Sequence, residues 1–207
     1  MPFSDAAKAL MLDALDEAVM AYMSLHQLYA ATGTPNECSG GSPAYARKTC
    51  VWNPASAGSK ALNANVAFDV ASGQTVRFIG FWSAVTSGTF YGMVPNGSTG
   101  AKVFNVDDSA AADRFRSPAH GFTALQGVVF FGTGLPTGVT AGTQYYIKTT
   151  GLTVDDFQVT AAADDGTAIA LTTDGFGVCQ LCVSETFGAQ GTFTVQAAST
   201  SFDLNLI

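Results

Sequence analysis

The runs TVRFIGFWS (residues 75–83) and TFYGMV (residues 89–94) decide how this chain is read. Both are dense in β-branched and aromatic residues, and a Thr-Ser-Gly break separates them, which is the pattern of neighbouring strands. Upstream, residues 47–52 and 59–68 have the same character, again punctuated by Gly, Ser, Asn and Pro. Short strands at this spacing predict a sandwich or barrel. Before them, Met20, Tyr22, Ser24 and His26 alternate with Ala21, Met23, Leu25 and Gln27, a period of two, and a breaker-rich loop follows over residues 31–43.

The only helical pattern lies at residues 4 to about 20. Ser4 suits the N-cap and Asp5 the first turn, while Leu12, Leu15, Val19 and Tyr22 recur at helical spacing, widened by Met11 and Ala18. Asp13, Asp16 and Glu17 oppose the dipole near the far end, so the helix either stops by about Glu17 or meets a basic partner there. Residues 95–101 (PNGSTGA) read as a linker. Beyond it, runs at 128–131, 144–148, 157–160, 168–171 and 177–183 predict further strands, with a hairpin turn at Asp164, Asp165 and Gly166. Two last strands are expected at 191–196 and 201–206. The echo of GTF at residues 88–90 and 191–193 suggests that those strands are neighbours.

The fold expected is therefore mainly β: an N-terminal α-helix followed by a β-sandwich (residues 1–94 and 187–207), with a second small β-domain (residues 95–186) inserted before the last strands. With 207 residues the chain buries roughly 70% of its unfolded surface, enough for two small cores.

Nine basic against sixteen acidic residues give a net charge of −7, which repels nucleic-acid phosphates and anionic lipid headgroups. No stretch approaches the ~20 apolar residues of a spanning helix. Asp5 and Lys8 stand where a signal peptide would need its basic start and apolar run, so synthesis in a host cytoplasm without secretion is expected.

Chemistry-bearing residues are few. His26 and His120 belong to no nucleophile motif. The acid pairs Asp107/Asp108, Asp155/Asp156 and Asp164/Asp165 sit in turn-like sequence without calcium-loop spacing. Cys179 and Cys182 form a C-x-x-C, but on one strand their side chains point to opposite faces; buried thiols packed as small apolar residues are expected, with a Cys38–Cys50 bridge in an oxidising medium as the alternative. No phosphate-binding glycine motif occurs, so no catalytic residue, cofactor or metal is expected. At strand spacing Trp82, Tyr91, Tyr145 and Tyr146 read as core or subunit-interface residues, with a sugar-stacking platform as the alternative.

Several stretches carry a resemblance. FSDAAKALMLDALDEA (3–18), YMSLHQL (22–28), NECSGGSPAYARKTCVW (36–52) and FDVASGQTVRFIGFWSAVTSGTFYG (68–92) resemble small virion proteins of tailed bacteriophages, notably of actinobacteria, described as tail fibre or minor tail proteins. The matching elements are Ser24, Leu25 and His26; Asn36, Glu37, Ser39, Gly40, Gly41 and Ser42; and Gly191, Thr192 and Phe193. The chain departs from that pattern at Cys38 and Cys50, where apolar residues are expected, and in its long middle region. There AHGF (119–122), GVVFFGTGLPTGVTAGTQYYIKT (127–149) and DDFQVTAAADDGTAIALT (155–172) resemble a β-module inserted in phage tail and other surface proteins.

The resemblance implies a virion structural protein, a tail fibre or minor tail component whose first domain docks on the particle while the inserted one faces outward. A capsid-decorating protein on the head surface and a host-glycan-binding module are the alternatives. The expected partners are other virion proteins of the tail or the major capsid protein. A charged share of only 12% against 47% hydrophobic residues implies an exterior partly covered by neighbouring subunits. A symmetric homo-oligomer follows, with three-fold symmetry expected by analogy and Met11, Leu15 and Tyr22 as the candidate subunit interface.

Overall fold

The computed structural model of the chain describes residues 3–15, 19–107 and 113–204. The acids Asp16 and Glu17, Ala18 of the expected stripe, Asp108 of the first acid pair and the end of the last expected strand lie outside the described residues. The fold is mainly β with one N-terminal helix. It divides into two compact units: Met1–Gln27, Ala31–Met93 and Thr186–Ile207 form the first, Leu28–Ala30 and Val94–Glu185 the second.

Helix α1 (Asp5–Asp13) starts where Ser4 Oγ accepts the Ala7 N–H at 3.3 Å. It ends well before the expected residue 20. Asp13, instead of opposing the C-terminal dipole in a further turn, accepts the Lys60 ammonium and the Ala55 N–H, each at 2.8 Å. Those two contacts hold the Asp13 carboxyl below its usual range. Of the expected stripe only Leu12 is fully buried, beside the largely buried Lys8; Leu10 and Met11 face outward. Leu15 lies past the helix and Tyr22 opens a strand, so Met11, Leu15 and Tyr22 do not share a helical face.

In the first unit, β1 (Tyr22–His26), β2 (Lys48–Thr49), β3 (Ser59–Ala61), β4 (Val66–Val70), β5 (Thr75–Val76), β6 (Phe78–Trp82) and β7 (Phe90–Pro95) follow in order. The order β2-β1-β6-β7 makes a four-stranded sheet. Within it β1 runs antiparallel to β6, pairing Met23 with Phe81, Ser24 with Gly80 and His26 with Phe78. All of β6 is buried, which explains its nearly unbroken apolar run: both faces of the strand are covered. On the Met23/Phe81 face lie Trp52 and Phe202, the latter 5.2 Å from Phe81 between ring centroids. Opposite, Phe90 packs on Trp82 at 4.9 Å.

The second unit holds β8 (Lys102–Val106), β9 (Phe115–Arg116), β10 (Gly127–Gly134), β11 (Gln144–Ile147), β12 (Asp156–Phe157), β13 (Val159–Thr160) and β14 (Gly175–Leu181). Their ladder order is β12-β9-β8-β14-β10-β11-β13. The two end strands are one stretch of chain, residues 156–160, divided only at Gln158. Phe157 pairs with Phe115 on one side, Val159 with Ile147 on the other, and Lys148 N donates to Gln158 O at 2.9 Å. The sheet thus curls until its two ends meet in the same segment, and little edge is left exposed. Its interior is filled by Phe104, Phe115, Phe122, Phe130, Phe157 and Tyr145 together with aliphatic neighbours. Phe157 is the hub, stacked on Phe115 at 5.2 Å and meeting Phe122 edge-on at 5.4 Å.

The chain then returns to the first unit through β15 (Glu185–Thr186), β16 (Gly191–Val195) and β17 (Ser201–Asp203), which pair with β5, β4 and β3. The GTF echo misleads: Phe193 pairs with Phe68, whereas β7 pairs with β6. A three-residue repeat carries no register. Nor is Asp164–Gly166 a hairpin turn, because residues 168–171 join no ladder. Instead Asp165 accepts the Thr149 N–H at 2.7 Å and the Thr150 hydroxyl at 2.9 Å. These bonds and the Lys148 ammonium hold it at about 2. Among the described residues no helix is long and apolar enough to cross a membrane.

Removing the hub ring leaves a cavity among four aromatic neighbours. Phe157→Ala is expected to cost about 3–5 kcal/mol, read from the urea midpoint at constant slope; a loss below about 1 kcal/mol contradicts the closed aromatic core.

Candidate functional site

The polar chemistry of the first unit gathers on one face of β1. Ser24 and His26 are two residues apart and therefore side by side, both fully buried. Trp82 Nε1 donates to Ser24 Oγ at 2.8 Å, and Ser24 Oγ lies 2.7 Å from His26 Nε2. Ser24 Oγ, which accepts the indole N–H, shares a second hydrogen bond with Nε2 whose donor is set by the imidazole tautomer. Nδ1 faces the Pro35 carbonyl without closing a hydrogen bond to it. Gly80 sits opposite Ser24, and a Cβ there would come within 2.5 Å of Ser24 Oγ and 2.8 Å of His26 Nε2. The glycine inside FIGFW is thus the space that this polar pair occupies.

Beside it, residues 36–50 wrap the edge of β1. Gln27 N donates to Asn36 O, Cys38 N to Leu25 O and Cys50 N to Ala21 O, all at 2.8–2.9 Å. From this segment Glu37 meets Arg47 in a two-pronged contact, Nε to Oε1 at 2.9 Å and Nη2 to Oε2 at 2.8 Å. Tyr45 donates its hydroxyl to Glu37 Oε1 at 3.2 Å and accepts the Leu25 N–H at 2.8 Å. The Arg47 guanidinium lies 3.4 Å over the Trp82 ring and also donates to Ser87 O at 2.9 Å. A cavity of about 460 Å³ opens here, lined by Glu37, Tyr45, Arg47, Val85 and Ser87 among others.

Serine, histidine and an acid in one neighbourhood invite comparison with a nucleophile triad, but the geometry gives them another task. Glu37 places its oxygens on Arg47 and Tyr45 rather than on His26 Nδ1, and neither Ser24 nor His26 has a solvent-facing surface for a substrate to reach. The cluster locks β1, β6 and the 36–50 segment together. Burial lowers the His26 pKa; Glu37 opposes that effect and Arg47 adds to it. Burial likewise pushes the Tyr45 phenol up, and the Cys38 thiol to about 12.

Other sequence-derived candidates fall as follows. His120 is buried in the second unit, its Nδ1 accepting the Phe122 N–H at 2.9 Å and its ring packed on Phe122 and Phe157. All four cysteines are buried thiols, so Cys38 and Cys50 form no bridge; Cys50 Sγ lies 3.0 Å from Met20 O instead. Burial pushes Cys179 up to about 12. Asp155 accepts the Ala119 N–H at 2.9 Å. Among the described residues, no three or more His, Cys, Asp and Glu are grouped to hold a metal ion.

The four aromatics do not make one platform. Trp82 and Tyr91 belong to the first unit, Tyr145 and Tyr146 to the second, and Trp82 and Tyr145 are core residues. Tyr91 is exposed, and Tyr146 lines a cavity of about 400 Å³ on the outside of the barrel. The Glu37–Arg47 clamp went unseen in the sequence; its only trace was two opposite charges ten residues apart in a loop. The chain matches no protein-family model, no curated protein and no solved structure.

Because the folded His26 pKa lies below its ordinary 6.5, the unfolded chain takes up this proton first. This contribution to stability is complete above about pH 6.5, falls as the pH drops through that value, and levels off once the folded imidazole also protonates. His26→Gln is expected to flatten the difference between urea midpoints at about pH 7 and pH 5.5; an unchanged difference contradicts the assignment. Arg47→Ala leaves Glu37 without its cation in a largely buried site. It should cost about 3–5 kcal/mol, and the double change Arg47→Met with Glu37→Leu should recover part of that loss in the same unfolding assay.

Proposed function

We propose that this chain is a structural subunit of a tailed-bacteriophage virion, a tail fibre or minor tail component that acts as a symmetric oligomer. One observation carries the assembly: helix α1 turns two of its three large apolar side chains outward. Leu10 is 75% exposed, Met11 47% and Phe3, just before the helix, 59%, while the inward side holds Leu12 and Lys8. An amphipathic helix on a lone subunit orients the other way. Its occupant on this reading is the same helix of a second copy, packed about the symmetry axis. On this reading Met11, Leu10 and Phe3 form the interface.

The resemblance of residues 3–18, 22–28, 36–52 and 68–92 to phage tail proteins supplies the particle, and sparse surface charge is consistent with crowding among subunits. The two-pronged Glu37–Arg47 pair and the Ser24–His26 contact, buried out of a substrate's reach, favour a scaffold over an enzyme. A capsid-decorating role shares this chemistry and differs in copy number, tens per particle for a tail component and hundreds for a decoration.

Light scattering after size exclusion should give a mass that is a multiple of the 21.3 kDa chain, three-fold on the expected symmetry. Leu10→Glu with Met11→Glu should return the monomer with its fold intact by circular dichroism. A wild-type monomer at every concentration tested overturns the assembly, and absence of the chain from purified particles overturns the virion assignment.

A further inference from the structure

The cavity outside the barrel is a mostly apolar site with a few placed polar groups that nothing above uses. It is lined by Leu125, Gln126, Gln144, Tyr146, Val183 and Ser184 among others, and no lining residue is charged. Gln144 organises it. Its Nε2 donates to Cys182 O, which fixes the amide, and its Oε1 accepts the Ser184 hydroxyl at 2.6 Å and the Tyr146 hydroxyl at 3.4 Å. Gly127, paired with Tyr146 across β10 and β11, makes this arrangement fit, because a Cβ there would collide with Gln144 Nε2 and Cys182 O.

The consequence is a defined polarity. The Tyr146 hydroxyl, 3.4 Å from Gln144 Oε1, keeps its oxygen lone pairs open as acceptors. Gln126 commits Oε1 to the Thr123 N–H at 2.8 Å, so its amide N–H groups are its donors to a ligand. Acceptor and donor thus line one uncharged cavity, with the Tyr146 ring and the exposed side chains of Leu125 and Val183. A vicinal diol supplies the complement, one hydroxyl donating to Tyr146 and the next accepting from Gln126, while ring C–H groups lie on the apolar surface. Carboxylates, phosphates and ammonium groups find no counter-charge here.

From this we infer that the cavity bordered by Gln126, Gln144 and Tyr146 binds a neutral hexose through two adjacent hydroxyls. Tyr146 and Gln126 touch the sugar and Gln144 positions Tyr146. The inference is independent of the virion proposal: either can fail while the other stands.

Saturation-transfer NMR on the full chain with methyl glucoside, methyl galactoside and methyl mannoside tests it. At least one should bind saturably with a Kd on the order of millimolar, and glucuronate should bind more weakly. Tyr146→Phe removes the acceptor and should weaken binding about tenfold. Gln126→Glu keeps the oxygen that caps Thr123, replaces the donors with a carboxylate, and should remove detectable binding. Both variants are near-isosteric, and the amide spectrum reports their fold. No saturable binding of any of the three up to about 100 mM, or binding that both folded variants leave unchanged, overturns the site.

Discussion

The second unit depends on a single stretch of backbone, residues 156–160, that hydrogen-bonds in two directions. Strands of two residues such as β9, β12 and β13 have too few ladder bonds to persist at the rim of an open sheet. Closure changes their situation, because each is paired and each contributes a ring or an aliphatic side chain to an interior with no free side. Phe157 stands at the seam, so the residue that completes the hydrogen-bonded circuit also centres the aromatic core. Backbone pairing and side-chain packing are satisfied by the same five residues.

The first unit solves a different problem. Its central pair, β1 and β6, is covered on both faces, which leaves Ser24 and His26 inside with polar atoms to satisfy. Trp82 answers one of them from the partner strand, and Gly80 makes room. The neighbouring loop brings its own charges, and these neutralise each other against Tyr45 and the Trp82 face. The result is a polar seam through an apolar layer. Such a seam fixes register, since a slip of one residue would aim Ser24 and His26 at the Met23/Phe81 face, where Trp52 and Phe202 offer no complement.

Much of this architecture was legible in the chain. The β-rich runs at 75–83, 144–148 and 191–196 coincide with strands that bury one face or both, and burial writes itself into composition; the run at 89–94 is a strand too, though mostly half-buried. Strand β8, KVFNV, is masked because Lys102 and Asn105 interrupt the apolar run, and only Phe104 and Val106 are buried. The helix was read too long because Leu15, Val19 and Tyr22 keep helical spacing by coincidence; the deciding event, Lys60 reaching Asp13 from 47 residues away, leaves no local mark. Barrel closure was equally hidden, since periodicity describes strands and not which of them meet. For the sites, Tyr146 could be singled out as an aromatic, but the run QYYI does not say which tyrosine enters the core until the register of β11 is known.

The stitch between Asn96 and Val183 has a consequence for how such a chain could have arisen. Val183 N donates to Asn96 O at 2.8 Å, and Asn96 Nδ2 returns a bond to Val183 O at 3.1 Å, so the two ends of the 94–185 segment lie against each other. A segment that begins and finishes at one spot can be excised or exchanged without stretching the host backbone across a gap. Excising it would also strip Leu28–Ala30 of neighbours, because that short segment belongs to the same unit and Tyr29 meets Phe131 edge-on at 5.1 Å.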